Sequence, residues 1–179
     1  MEGLVMDQVR AYKKVGDRRW RESPGLVFED FEVGAIVEHR PGRTLTEADN
    51  IWMSLLSHNL HPLHIDDAYC EKTEWKRPLV SSLVTLSIVS GMSVPSTSAK
   101  GLANLSWDNI RLVAPVFVGD TIYAETEYLD KRLSESRPNQ GIVSCATRGV
   151  KADGTVFLTC QRAFLLPTRE HDLEDLAAY

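Results

Sequence analysis

Three zones with different hydrophobic patterns follow one another along the chain. Residues 1–43 are polar and irregular. Residues 44–94 repeat apolar positions with helical spacing, and residues 100–167 alternate with the two-residue period of strands. Helices gathered first and strands later predict an α+β layer arrangement rather than alternating βαβ units.

In the first zone, Phe28, Phe31 and Val33 suggest a docked arm, and Gly34 a turn before a short strand through Ile36, Val37 and His39. In the second, Thr46 followed by Asp49 forms a capping-box pattern. Ala48, Ile51, Trp52, Leu55 and Leu56 then fall on one predicted helical face, and Trp52, like Trp107, is expected in the core. This helix ends near His58, because Pro62 cannot continue a helix interior and pushes His61 toward an extended conformation.

A second helix is predicted from Ser82 to Met92, with Ser81 or Ser82 as N-cap and Gly91 near its end. It carries no charge, so it is expected to be buried on all sides, inside a curved sheet. Its first N–H groups have no partners within the helix and would be available to a ligand carbonyl.

Four strands are predicted in the third zone: Asn104 to Val113, Thr121 to Leu129, Ile142 to Val150 and Thr155 to Leu166. On the second of these, Ile122, Ala124, Thr126 and Tyr128 share one face, and Tyr123, Glu125 and Glu127 the other. Asp153-Gly154 is a hairpin signal, and Pro138 to Gly141 another turn. The expected organisation is an N-terminal arm (1–27), one domain (28–167) and a charged C-terminal tail (168–179).

Composition narrows the function. With 179 residues, 43% hydrophobic and 25% charged, the chain can bury a sizeable core. A net charge of −5 with no basic block argues against nucleic-acid binding, which depends on neutralising phosphates. No stretch approaches a membrane span, and residues 1–20 have no apolar core of a signal peptide. Cys70, Cys145 and Cys160 are too scattered for a disulfide framework and fit a reducing, cytoplasmic setting.

Three of the five histidines, His58, His61 and His64, are crowded together. Their spacing across a proline break builds no obvious metal cage, so no metal is expected. They could instead satisfy loop backbone groups, or do acid–base work at neutral pH, for which imidazole is suited.

The run Asn59-Leu60-His61-Pro62-Leu63-His64-Ile65-Asp66, with Tyr69, Arg77-Pro78-Leu79-Val80-Ser81-Ser82 and Thr85-Leu86, resembles the MaoC-like dehydratases, or (R)-specific enoyl-CoA hydratases. Their signature is Gly-Asp-x-Asn-Pro-x-His, followed by a His-Gly step that opens the buried helix. Leu112 to Val116 and Val118 to Thr121 match as well, so the resemblance runs from about Phe28 to Leu166. It implies a hot-dog fold, an antiparallel sheet wrapped around a long helix.

By position, the family's catalytic His is His64 and its Asp is replaced by Asn59, its Gly by His58 and its motif Asn by His61. The oxyanion donor carried over is the backbone N–H of Ser82. Asn59, Arg77-Pro78-Leu79-Val80 and the Ser-rich helix start resemble in particular the branch acting on branched C5 dicarboxylyl-CoA thioesters, such as itaconyl-CoA or mesaconyl-CoA hydratases.

Hydration of an unsaturated thioester needs a base for water, a proton at C2 and a donor for the thioester oxygen. His64 would serve the first two, with Asn59 orienting the water and Ser82 N–H holding the oxygen. His61 or His58 would add polar contacts, and Arg77 or Arg43 would meet a substrate carboxylate. Asn59 cannot take a proton, which keeps a non-catalytic CoA-ester-binding subunit open as an alternative; a second alternative, a hot-dog acyl-CoA thioesterase, generally wants a carboxylate near the thioester, and Asn59 removes the obvious one. No cofactor is implied beyond the coenzyme A carried by the substrate. Lys72, Lys76, Lys100, Arg132 and Arg137 are candidates for its phosphates. One sheet around one helix leaves edges exposed, so a homodimer or higher homo-oligomer is expected.

Overall fold

In a computed structural model, residues 11–177 are described; residues 1–10 of the expected arm and residues 178–179 of the tail lie outside this range. A small antiparallel hairpin, β1 (Tyr12–Gly16) and β2 (Arg19–Glu22), precedes a 3-10 turn at Phe28–Asp30. Phe31 behind it is fully buried against the rings of Tyr128 and Phe164.

The main sheet is wholly antiparallel, with spatial order β3-β5-β6-β7-β4. Its strands are β3 (Ile36–Thr44), β4 (Ala103–Leu112), β5 (Thr121–Leu133), β6 (Gln140–Lys151) and β7 (Val156–Pro167). The predicted alternation on β5 holds, with Ile122, Ala124, Thr126 and Tyr128 buried. Gly154 closes the β6–β7 hairpin with φ +88°, a left-handed conformation that glycine adopts without steric cost.

The helices are α1 (Glu47–Leu56), a short α2 (Asp67–Cys70), α3 (Ser82–Ser93) and a final short α4 (Leu173–Leu176). Helix α3 lies against β5 and β6, and the sheet curves around it as the hot-dog fold requires. Gly149 of β6 permits the close approach: a Cβ there would sit 2.4 Å from the Phe157 ring and 2.9 Å from Val89 of α3. Val84, Val89, Ile122, Ala124, Phe157 and Leu158 form the core around the helix.

Three expectations of burial are corrected. Helix α3 is not sheathed on all sides: Val84, Thr85, Val89 and Ser93 are buried, whereas Leu83, Ser87 and Gly91 are exposed. A single sheet covers only one side of a helix, so the other side of this apolar segment is left open in the single chain. Helix α1 is turned the opposite way from its predicted apolar face. Trp52 is 66% and Leu56 77% exposed, while the buried residues are Asn50 and Ser54. Hydrogen bonds made by Asn50, described below, outweigh the apolar stripe in setting this orientation. Trp107 on β4 is also partly exposed, because β4 is an edge strand.

The C-terminal segment is pinned rather than loose. Lys100 reaches Asp172 (2.5 Å) and Glu174 (3.0 Å), and Arg169 pairs with Asp30. Lys100 is thereby engaged and is not available to phosphates. Among the described residues, no helix is long and apolar enough to cross a membrane.

Candidate active site

Helix α1 starts as its sequence dictates. The Thr46 hydroxyl accepts from Asp49 N–H and the Asp49 carboxylate accepts from Thr46 N–H, closing the capping box. Arg43 pairs with the same carboxylate. Burial pushes the Asp49 pKa up, but the Thr46 hydrogen bonds and the Arg43 charge outweigh it and hold the carboxyl below its ordinary value.

The helix ends in a Schellman motif. His58 N–H donates to Leu55 O and Asn59 N–H to Ser54 O, with His58 at φ +59° in the left-handed position. Glycine, the family's residue here, suits that conformation without strain, which gives His58 a backbone role. Its side chain is exposed. Asn59 follows, half-buried, and lines none of the three cavities described below.

A 3-10 turn spans Pro62–His64. His61 caps it, its Nδ1 accepting from Leu63 N–H at 3.1 Å, which leaves Nε2 as the protonated nitrogen of the neutral ring. Asp66 caps α2 by accepting from Tyr69 N–H at 2.9 Å. Cys70 is fully buried, with its thiol turned to the Leu63 carbonyl; burial raises its pKa, so it is a poor nucleophile.

The His64 ring is oriented by a hydrogen bond to the backbone. Its Nδ1 lies 2.9 Å from the Leu79 carbonyl oxygen. A carbonyl can only accept, so Nδ1 carries the proton and Nε2 keeps a lone pair. Asn50 ties this region together: its Nδ2 donates to His64 O (2.7 Å) and Leu79 O (3.0 Å), and its Oδ1 accepts from Ser81 N–H (2.8 Å). Ser81 is the N-cap of α3, so the next backbone donor at the helix tip is the N–H of Ser82, which has no partner within the helix.

His64 and Ser82 line one cavity of about 350 Å3 with Trp75, Thr85, Pro115 and Phe157. It is mainly apolar and opens toward exposed Leu112 and Val113 at the sheet edge. His64 also lines a smaller cavity of about 180 Å3 with Asn50, Arg77, Glu47 and Asp67. Arg77 stacks over Phe117, its guanidinium carbon 3.9 Å from the ring centroid. Arg43 lines a third cavity beside Trp52, Leu56 and Ile88, which His64 does not reach. The structure therefore brings His64 together with Ser82 in one cavity and with Arg77 in the other, and leaves Asn59, His58, His61 and Arg43 off both. Among the described residues, no group of three or more His, Cys, Asp or Glu side chains is arranged to hold a metal.

Sequence reasoning missed Asn50 and the Leu79 carbonyl. The one available signal was the pair Asn50 and Ser54, four residues apart and thus on one face of α1, interrupting an apolar helix. A backbone carbonyl leaves no trace in a sequence pattern.

A curved antiparallel sheet on one apolar helix, with a histidine at the helix tip, defines a MaoC-like hot-dog domain. The chain belongs to the mesaconyl-CoA hydratase family, whose sequence model matches residues 6–177. It is 27% identical over 150 residues to a mesaconyl-CoA hydratase of Cereibacter sphaeroides, covering 84% of this chain and 43% of that protein. It is 30% identical over 139 residues to the (R)-specific enoyl-CoA hydratase of Aeromonas caviae, covering 78% of this chain and 98% of the other. The crystal structure of a putative MaoC domain protein dehydratase from Chloroflexus aurantiacus superposes with a TM-score of 0.77 at 29% identity, over 82% of this chain and 41% of that one. The chain thus spans less than half the length of its mesaconyl-CoA hydratase relatives.

Proposed function

We propose that the chain adds water reversibly across the double bond of an α,β-unsaturated acyl-CoA thioester. In this reading, the thioester carbonyl accepts from Ser82 N–H at the start of α3. Water attacks C3 as His64 Nε2 takes one of its protons. The electron pair of the double bond moves to the thioester oxygen, forming an enolate that the Ser82 donor and the helix dipole stabilise. The imidazolium then returns its proton to C2, so H and OH arrive on the same face and the ring is regenerated.

The observation that supports this reading is the hydrogen bond from His64 Nδ1 to Leu79 O, which leaves a basic Nε2 on a histidine that lines the same cavity as the first residue of α3. The Aeromonas caviae relative, an (R)-specific enoyl-CoA hydratase, agrees with it. Asn59, which cannot act as a base, and His61 lie off the cavities shared with His64, and no step is assigned to either.

The acyl group we propose is a branched C5 dicarboxylyl unit such as mesaconyl or itaconyl. Arg77, on the smaller cavity beside His64, supplies the cation that a second carboxylate needs. Glu47 and Asp67 line that cavity too and oppose an anion, so the carboxylate would have to sit directly on the guanidinium. Arg43 is held by Asp49, and a substrate would have to displace that partner.

The unit would work as a homodimer in the cytoplasm, where its three buried, unpaired thiols stay reduced. The test is a panel of crotonyl-, mesaconyl- and itaconyl-CoA followed by loss of the conjugated thioester absorbance, with a thiol reagent in parallel. Hydration without thiol release supports the proposal; thiol release supports a thioesterase, and binding without either supports a non-catalytic subunit.

A further inference from the structure

Asn50 is 1% exposed, yet it carries a polar amide on a helix whose apolar residues face outward. Its three hydrogen bonds join segments far apart in sequence: residue 64 on the 3-10 turn, residue 79 on the loop after it, and residue 81 at the cap of α3. The amide orientation is fixed by this set. Turned over, its oxygen would face two carbonyl oxygens and its NH2 would face an N–H.

The Leu79 carbonyl is the shared element. It accepts from Asn50 Nδ2 and from His64 Nδ1, so both of its lone pairs are engaged. Asn50 thereby holds the acceptor that selects the His64 tautomer. Through Ser81 N–H it also holds the helix tip that presents Ser82. One side chain thus links the imidazole to the backbone donor that shares its cavity.

We infer that Asn50 is a positioning residue that fixes the proton of His64 on Nδ1 and keeps the imidazole in register with the start of α3; the kinetic part of this inference rests on the proposed hydratase activity. Removing the amide would leave His64 O and Ser81 N–H without their side-chain partner, and Leu79 O with His64 Nδ1 alone. Leu79 O could then rotate away, and the neutral ring would populate both tautomers, only one of which has a basic Nε2. Misplacement on this scale lowers turnover by up to about 100-fold without changing what binds.

The test uses the full chain with 15N-labelled histidine. Wild type is expected to show the neutral His64 ring as a single Nδ1–H tautomer. Asn50→Ala is expected to show tautomer mixing at His64 and a kcat for crotonyl-CoA lowered by about 10- to 100-fold, with KM within threefold. Asn50→Asp keeps the acceptor for Ser81 N–H but loses both donors, and is expected to mix the tautomers as well. An Nε2–H ring in wild type would overturn the inference even if neither variant folds. An unchanged tautomer in a folded variant, an unchanged kcat, or a loss confined to KM would also overturn it. If His64→Ala turns over at the native rate, the hydratase reading fails, while the tautomer measurement still decides the role of Asn50.

Discussion

The Nδ1 of His64 and the carbonyl oxygen of Leu79 lie 2.9 Å apart, and that contact determines which imidazole nitrogen is basic. The two residues are separated by α2 and the Arg77-Pro78 turn, and a short backbone bond from Leu79 N–H to Leu63 O (3.1 Å) braces the pair. Base and helix tip are thus one assembly, and its parts can be tested singly.

Ser82→Pro deletes the proposed oxyanion donor with little change of fold. Proline is tolerated at the first helical position, and Ser81 already has φ −58° and ψ 138°, the conformation a residue before proline prefers. Turnover is expected to fall by about 100- to 1000-fold, with the circular-dichroism spectrum and Tm retained, whereas Ser82→Ala stays within about threefold. Equal activity of the two variants would remove Ser82 N–H from the mechanism.

His58→Gly relieves the left-handed strain at the end of α1, where φ is +59°. Allowing for the greater freedom of glycine in the unfolded chain, a gain of about 0.5–1 kcal/mol is expected, or a rise of roughly 1–4 °C in Tm. Turnover should be little changed; a large loss would instead assign the His58 side chain a part in binding.

Stability should depend on pH through His39. This ring is buried, with Nε2 2.7 Å from the Thr126 hydroxyl and Nδ1 3.1 Å from the Ser96 hydroxyl. Burial first, then the charges of Arg162 and Arg40, push its pKa down from 6.5 to about 4. Between those values the unfolded chain binds more protons than the folded one, so the contribution is complete above pH 6.5 and is lost as pH falls toward 4. Denaturant titrations should show a loss of about 1–3 kcal/mol over this window, and His39→Gln should flatten it.

Assembly can be tested on β4. The outer edge of β3 carries Glu38, Arg40 and Pro41, residues that discourage strand pairing, whereas β4 exposes Leu105, Ile110 and Leu112. Light scattering of the wild type should give the mass of two chains or more, and Leu105→Lys should give that of one. A wild-type monomer would contradict the proposed dimer.

The five strands of the main sheet and both long helices were legible because period and caps are local: Thr46 with Asp49, Asp153-Gly154 and the alternation on β5 each act within a few residues; the β1–β2 hairpin, in a stretch expected to be irregular, was not. The directions in which helices faced were less legible. The stripe Ile51-Trp52-Leu55-Leu56 predicted an inward face, but three hydrogen bonds from Asn50 to distant backbone groups turned it outward. Leaving those groups unpaired in the interior would cost about 1–3 kcal/mol each, comparable to the burial of the apolar side chains. Of the candidate site, His64 and Ser82 were readable from the motif. The Leu79 carbonyl and the engagement of Arg43 by Asp49 were not, since both depend on tertiary contacts.

The most direct test of the account is the turnover of His64→Ala on the enoyl-CoA panel, measured beside its Tm. A single residue that activates water and delivers the proton should be worth about 100- to 10,000-fold, with the fold retained. A folded His64→Ala protein that keeps activity within tenfold of wild type would contradict the central claim.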